Sequence, residues 1–99
     1  MRLTPRQIEL IKVAAQRALG VQSRIWLFGS RADDTRLGGD IDLLVETDTE
    51  LPNRAQAICK IYGAIIIALG ERKVDVLVKD ARTPDAPIFD LAKRTGVLL

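Results

Sequence analysis

Two short strand-forming runs in this chain carry acids where a buried strand would carry leucine or valine. They are Asp40-Ile41-Asp42-Leu43-Leu44-Val45-Glu46 and Lys73-Val74-Asp75-Val76-Leu77-Val78-Lys79. The side-chain period of a strand is two, so Asp40, Asp42 and Leu44 leave one face while Ile41, Leu43 and Val45 leave the other. In the second run Val74, Val76 and Val78 oppose Asp75 and Leu77. A sheet built from these runs buries one face continuously and collects carboxylates on the other. If the two runs are neighbours, Asp40, Asp42 and Asp75 converge. Two unit charges about 4 Å apart at an effective dielectric near 20 repel by roughly 4 kcal/mol, so three close pairs cost about as much as a small domain's whole stability. Such a cluster stays ionised by binding cations, and oxygen donors without sulfur or imidazole favour Mg²⁺ or Mn²⁺.

The remaining pattern supplies helices to cover such a sheet. Thr4, Pro5 and Gln7 read as an N-cap, a first-turn proline and the glutamine of a capping box. Ile8, Ile11, Ala15 and Ala18 mark one face of the helix that follows, and Gly20 ends it. Arg24 to Phe28 reads as a strand that stops at Gly29-Ser30. The polar stretch Arg31 to Gly39 reads as a short helical turn and a loop. A long helix is expected from about Asn53 to Leu69, with Ile58, Ile61, Tyr62, Ile65 and Leu69 as its packing stripe and Cys59 as a small packing residue. A short last helix is expected over Ile88 to Arg94. The order α, β, β, α, β, α implies an α+β fold, a small mixed β-sheet covered by helices. With 99 residues there is chain for one core, so residues 1–99 read as a single domain.

Composition excludes several chemistries. There is no histidine, hence no Ser-His-Asp or Cys-His catalysis and no imidazole ligand for a metal. Cys59 is the single cysteine, which rules out an intrachain disulfide and a thiolate zinc cluster and makes a reducing cytoplasm the expected compartment. The longest apolar run, Ala64 to Leu69, is far short of the roughly 20 residues of a membrane span. A net charge of +2, with no compact basic helix and no aromatic-plus-basic platform, argues against direct nucleic-acid binding.

Gly29-Ser30 is the second half of the chemical signal. A glycine at a strand-to-helix corner lets a phosphate approach backbone amides, the serine adds a hydroxyl donor, and a helix start adds its positive dipole end. Arg31 is a further candidate for neutralising phosphate. A phosphate cradle beside a carboxylate cluster is the layout of metal-assisted nucleotide chemistry.

Leu27-Phe28-Gly29-Ser30, a nine-residue gap, Asp40-Ile41-Asp42-Leu43 and a later Val74-Asp75-Val76 resemble the DNA polymerase β-type nucleotidyltransferase superfamily. The short chain and its Gly-Ser-Arg-Ala start further resemble the minimal nucleotidyltransferases, the MntA-like antitoxins paired with HEPN-domain toxins. The resemblance implies a nucleotidyltransferase fold in which Asp40 and Asp42 bridge two divalent ions that hold a nucleoside triphosphate. Asp75 would ligate the catalytic ion and help deprotonate the attacking hydroxyl, and Gly29 and Ser30 would bind the triphosphate. The implied reaction moves AMP from ATP to a tyrosine of a partner toxin, and the alternative is an antitoxin that silences its toxin by contact alone. Two features depart from the family pattern: Asp33 and Asp34 follow Gly-Ser-Arg-Ala where relatives carry a basic residue and a glycine, and Gly39 stands where relatives carry serine.

Beyond its core stripe, the long helix also carries Ala64, Ile66, Ile67 and Ala68 and is apolar nearly all round. A domain of this size covers only one side of it, so part of this helix, or Val97-Leu98-Leu99, is expected to bury against a partner or a second copy as a homodimer.

Overall fold

A computed structural model describes residues 3–29, 41–70 and 74–99. Within them the chain forms helix α1 (Pro5–Leu19), strands β1 (Arg24–Phe28) and β2 (Ile41–Glu46), helix α2 (Arg54–Leu69), strand β3 (Val74–Lys79), helix α3 (Pro87–Thr95) and strand β4 (Val97–Leu98). The sheet order is β3-β2-β1-β4. β1 runs antiparallel to β2 and to β4, while β2 and β3 are parallel. This is the α+β fold with a mixed sheet that the residue pattern implies. The expected turn over Arg31 to Gly39 lies outside the described residues.

Local chemistry accounts for the element ends. The Thr4 hydroxyl accepts from the Gln7 amide at 3.1 Å, and the Gln7 side chain accepts from the Thr4 amide at 2.9 Å, which completes the capping box of α1. Gly20 closes α1 at φ 70°, a left-handed conformation that costs glycine little. Asn53, expected as the first residue of the long helix, is instead its N-cap and accepts from the Gln56 amide at 3.0 Å. The last helix is one residue longer at each end than expected, because Pro87 is tolerated in a first turn, where its missing N–H is no loss.

The sheet's two faces are covered unequally. Ile25 and Leu27 of β1, Leu43 and Val45 of β2, and Val74 and Val78 of β3 pack against Ile11, Ala14 and Ala15 of α1 and Ala57, Ile61 and Ile65 of α2 in the main core. A parallel β2–β3 pair needs a long crossover, and α2 provides it while covering this face. On the other face Leu44 packs with Phe89 and Ala92 of α3, flanked by Trp26, Phe28 and Leu77. Polar contacts fix α3 there: the Lys93 ammonium donates to Glu46 Oε2 at 2.5 Å and sits 5.5 Å from the Trp26 ring centroid. Arg24, the register partner of Glu46, donates to its Oε1 from both Nη2 and Nε, at 3.0 and 3.2 Å. Burial pushes the Glu46 carboxyl up, but hydrogen bonds from Lys93 and Arg24 outweigh it and hold the group below the usual carboxylate range.

Two residues of α2 correct the expected packing stripe. Tyr62 is 44% exposed and Cys59 is exposed, because the buried positions Ala57, Ile61 and Ile65 follow a narrower stripe that leaves 59 and 62 outside it. Strand β4 was not anticipated. It is two residues long, and the Leu99 amide extends its pairing by donating to the Ile25 carbonyl at 2.8 Å.

A buried carboxylate pins the carboxyl end of β3. Asp80, 4% exposed, accepts from the Leu51 amide at 2.9 Å, the Thr83 hydroxyl at 2.7 Å and the Arg82 amide at 3.1 Å. The Leu51 and Thr83 hydrogen bonds, helped by the Arg82 amide, outweigh burial and bring its pKa down to about 2 from 3.8. A carboxyl depressed in the folded state stabilises it above the unfolded pKa and ceases to do so as pH falls through the folded one. Roughly 2 kcal/mol of stability should therefore be present at neutral pH and be lost between about pH 4 and pH 2. Urea titrations should show Asp80→Asn destabilised at pH 7, with the gap to the wild type closing near pH 2; a gap constant with pH would refute this account.

Candidate active site

The sheet brings Asp42 and Asp75 together through backbone register alone. β2 and β3 are parallel with Asp42 opposite Asp75, Leu44 opposite Leu77 and Glu46 opposite Lys79. Register partners on parallel strands point to the same face, and neighbouring strands lie about 4.8 Å apart. The two aspartates therefore occupy adjacent places in one row. Asp42 is half-buried and Asp75 exposed, at the amino ends of their strands. On the other side of Asp42, Phe28 is its register partner in β1. The row Phe28, Asp42, Asp75 thus crosses three strands on the face that carries α3, beyond the cluster around Leu44 and Phe89.

The end of β1 is built against the same carboxylate. Gly29 has φ 74°, in the left-handed region. A Cβ built at this position would fall on the Asp42 carboxylate, with Oδ2 nearest and the Asp42 carboxyl carbon at 3.1 Å. Glycine is thus required here twice, for its backbone conformation and for the space the carboxylate occupies. A second close approach helps hold this edge: a Cβ at Gly96, between α3 and β4, would meet the Leu27 carbonyl at 2.8 Å and the Phe28 Cβ at 3.1 Å.

Of the residues singled out from the sequence, Gly29, Asp42 and Asp75 fall within the described regions, at the same end of the sheet. Ser30, Arg31 and Asp40 lie outside the described residues, as do Asp33, Asp34 and Gly39. Among the described residues no three acidic or sulfur side chains are gathered into a metal-holding group. Asp42 and Asp75 are hard oxygen donors in neighbouring register, and the missing Cβ of Gly29 leaves the Asp42 carboxylate its room, so the residues present fit a divalent cation. Phe28 and Gly96 escaped sequence reasoning as site neighbours. Alternation along Arg24 to Phe28 was a usable signal for Phe28, since it puts residues 24, 26 and 28 on one face; Gly96 had none, because its constraint comes from a packing distance.

A mixed sheet with carboxylates in parallel register and a glycine corner against one of them is a scaffold suited to nucleotide chemistry. Residues 8–95 match the family model for the nucleotidyltransferase domain, and the chain belongs to that family. No curated protein matches it. Membership makes the chain a transferase domain that works on a nucleoside triphosphate, in a family generally dependent on divalent metal. No helix among the described residues is long and apolar enough to cross a membrane.

Gly29→Ala should destabilise the protein by about 1–3 kcal/mol, combining left-handed strain with displacement of the Asp42 carboxylate. Gly20→Ala provides the control, since its φ is also positive but open space surrounds it. Chemical denaturation should show the greater loss at position 29; equal losses would mean that the contact with Asp42 has no energetic weight.

Proposed function

We propose that the chain transfers AMP from ATP to a hydroxyl on a protein partner, a HEPN-domain toxin, and so acts as its antitoxin. The observation that supports this reading is the register pairing of Asp42 with Asp75 beside the Gly29 corner. Asp40, Asp42 and Asp75 would hold Mg²⁺, with Mn²⁺ as a substitute, and Gly29, Ser30 and Arg31 would receive the triphosphate. The metal supplies charge neutralisation of the triphosphate and lowers the pKa of the attacking hydroxyl. The acceptor oxygen forms the new bond to the α-phosphorus, the bond from that phosphorus to the bridging oxygen breaks, and pyrophosphate leaves. Asp75, exposed at the edge of the row, takes the hydroxyl proton and passes it to solvent.

In this reading residues 1–99 act as one minimal domain in the cytoplasm, and the acceptor is a protein that brings its own docking surface. The rival reading, a catalytically silent antitoxin that neutralises its toxin by complex formation, finds support in the 87% exposure of Ile67 on α2.

One assay separates the two. The purified chain is incubated with Mg²⁺, ATP labelled at the α-phosphate and the HEPN partner. Label should move to the partner with release of pyrophosphate, and Asp42→Asn or Asp75→Asn should lower the rate at least about 100-fold. Asp75→Asn should leave the urea midpoint nearly unchanged, because its side chain is exposed. A tight complex that never acquires label would establish the silent reading instead.

A further inference from the structure

The outer side of the helical layer, away from the face bearing Asp42 and Asp75, carries an apolar groove between α1 and α2. Leu10, Val13 and Ala14 line it from α1 and Ala64, Ile67 and Ala68 from α2. Its charged lining residues are Arg17 and Lys60, both exposed, and neither forms an ion pair among the described residues. The charge extends beyond the rim. α1 carries Arg6, Lys12 and Arg17 against Glu9, and α2 carries Arg54 and Lys60 with no acid, a net +4 for the two helices in a chain whose total is +2. Ile67, in the last turn of α2, is 87% exposed and is not covered by the other described elements.

We infer that this groove docks an amphipathic helix of a partner protein, whose apolar stripe covers Ile67 and Val13 and whose flanking acidic residues pair with Arg17 and Lys60. The charge selects this occupant. A second copy of the chain would bring an identical basic rim against Arg17 and Lys60, and like charges across an interface oppose association. The apolar floor gives nucleic acid, whose affinity comes chiefly from phosphate contacts, nothing to bind. A groove between two packed helices suits a helix, which fills it with side chains at i, i+3, i+4 and i+7 spacing. The groove lies across the sheet from the aspartate row, so a partner held there leaves the nucleotide face open. The inference is independent of whether that face transfers nucleotide.

The test uses the intact chain and a synthetic amphipathic helix of about 18 residues with leucines at i, i+3, i+4 and i+7 and glutamates flanking them, against the same peptide with lysines in place of the glutamates. Fluorescence anisotropy should show the glutamate peptide binding at least about 10-fold more tightly, by the electrostatic preference of the rim. Ile67→Glu should abolish binding without changing the thermal midpoint, since residue 67 is exposed. The double variant Arg17→Glu, Lys60→Glu should reverse the preference between the two peptides. Equal binding of both peptides, or none, would overturn the proposal. So would a dimer of the wild-type chain in sedimentation that Ile67→Glu converts to monomer, which would assign the groove to a second copy.

Discussion

The parallel register between β2 and β3 is the constraint on which the site depends. It is fixed by the residues on the opposite face of the sheet. Leu43, Val45, Val74 and Val78 all enter the main core, and a one-residue slip of either strand would exchange its buried side chains for Asp42 and Leu44 or for Asp75 and Leu77. A slip that placed a carboxylate among Ile11, Ile61 and Ile65 would bury an unpaired charge, at a cost no isolated contact elsewhere repays. The apolar side of the sheet thereby decides where two like charges meet on its other side. Their proximity is unfavourable in itself and tolerable because Asp75 remains in water, which screens it.

The aspartate-bearing face is only partly covered, and the division has a physical basis. The carboxyl ends of β2 and β3 are tied down: Glu46 accepts from Arg24 and Lys93, the Thr47 hydroxyl donates to the Gln22 carbonyl at 2.9 Å, and Asp80 holds the Leu51 amide. α3 lies over the middle through Phe89 and Ala92. The amino ends, where Asp42 and Asp75 stand, lie beyond this apolar cluster. One sheet therefore holds its rigid polar anchoring at one end and its chemistry-bearing groups at the other. Glu46 lies four positions beyond Asp42, roughly 13 Å along the strand, so the two acidic centres stand at opposite ends of β2.

Most of this architecture is legible in the residues, because period-two alternation and helix capping act locally. The capping box of α1, the glycine that ends it and the inner faces of β2 and β3 all follow from spacing; that Asp42 stands beside Asp75 depends on the pairing of β2 with β3, which spacing alone does not give. What escaped reading depends on distances between segments far apart in sequence. Strand β4 is too short to show a pattern and exists because β1 offers an open edge. Asp80 directly follows a lysine at a strand end, where an exposed carboxylate is the ordinary expectation; its role as an anchor arises from the Leu51 amide, 29 residues away. Tyr62 and Cys59 lie on the margin of a helix so apolar that its sequence alone does not distinguish the buried stripe from the exposed one.

That ambiguity in α2 is itself informative. A helix whose only job is to bridge two parallel strands needs a single apolar stripe, which Ala57, Ile61 and Ile65 provide. Ile67 contributes nothing to that stripe, and leaving it exposed carries a solubility cost that a polar residue would avoid at no loss to the fold. The α1 side of the same groove repeats the pattern, with Val13 exposed beside buried Ala14. Two helices thus each place an apolar residue outside the core, facing a shared groove rimmed by cations, which packing among the described elements does not require. The sheet and its helical cover thus have two outward-looking surfaces with different chemistry, a hydrated carboxylate row on one side and a basic-rimmed apolar groove on the other.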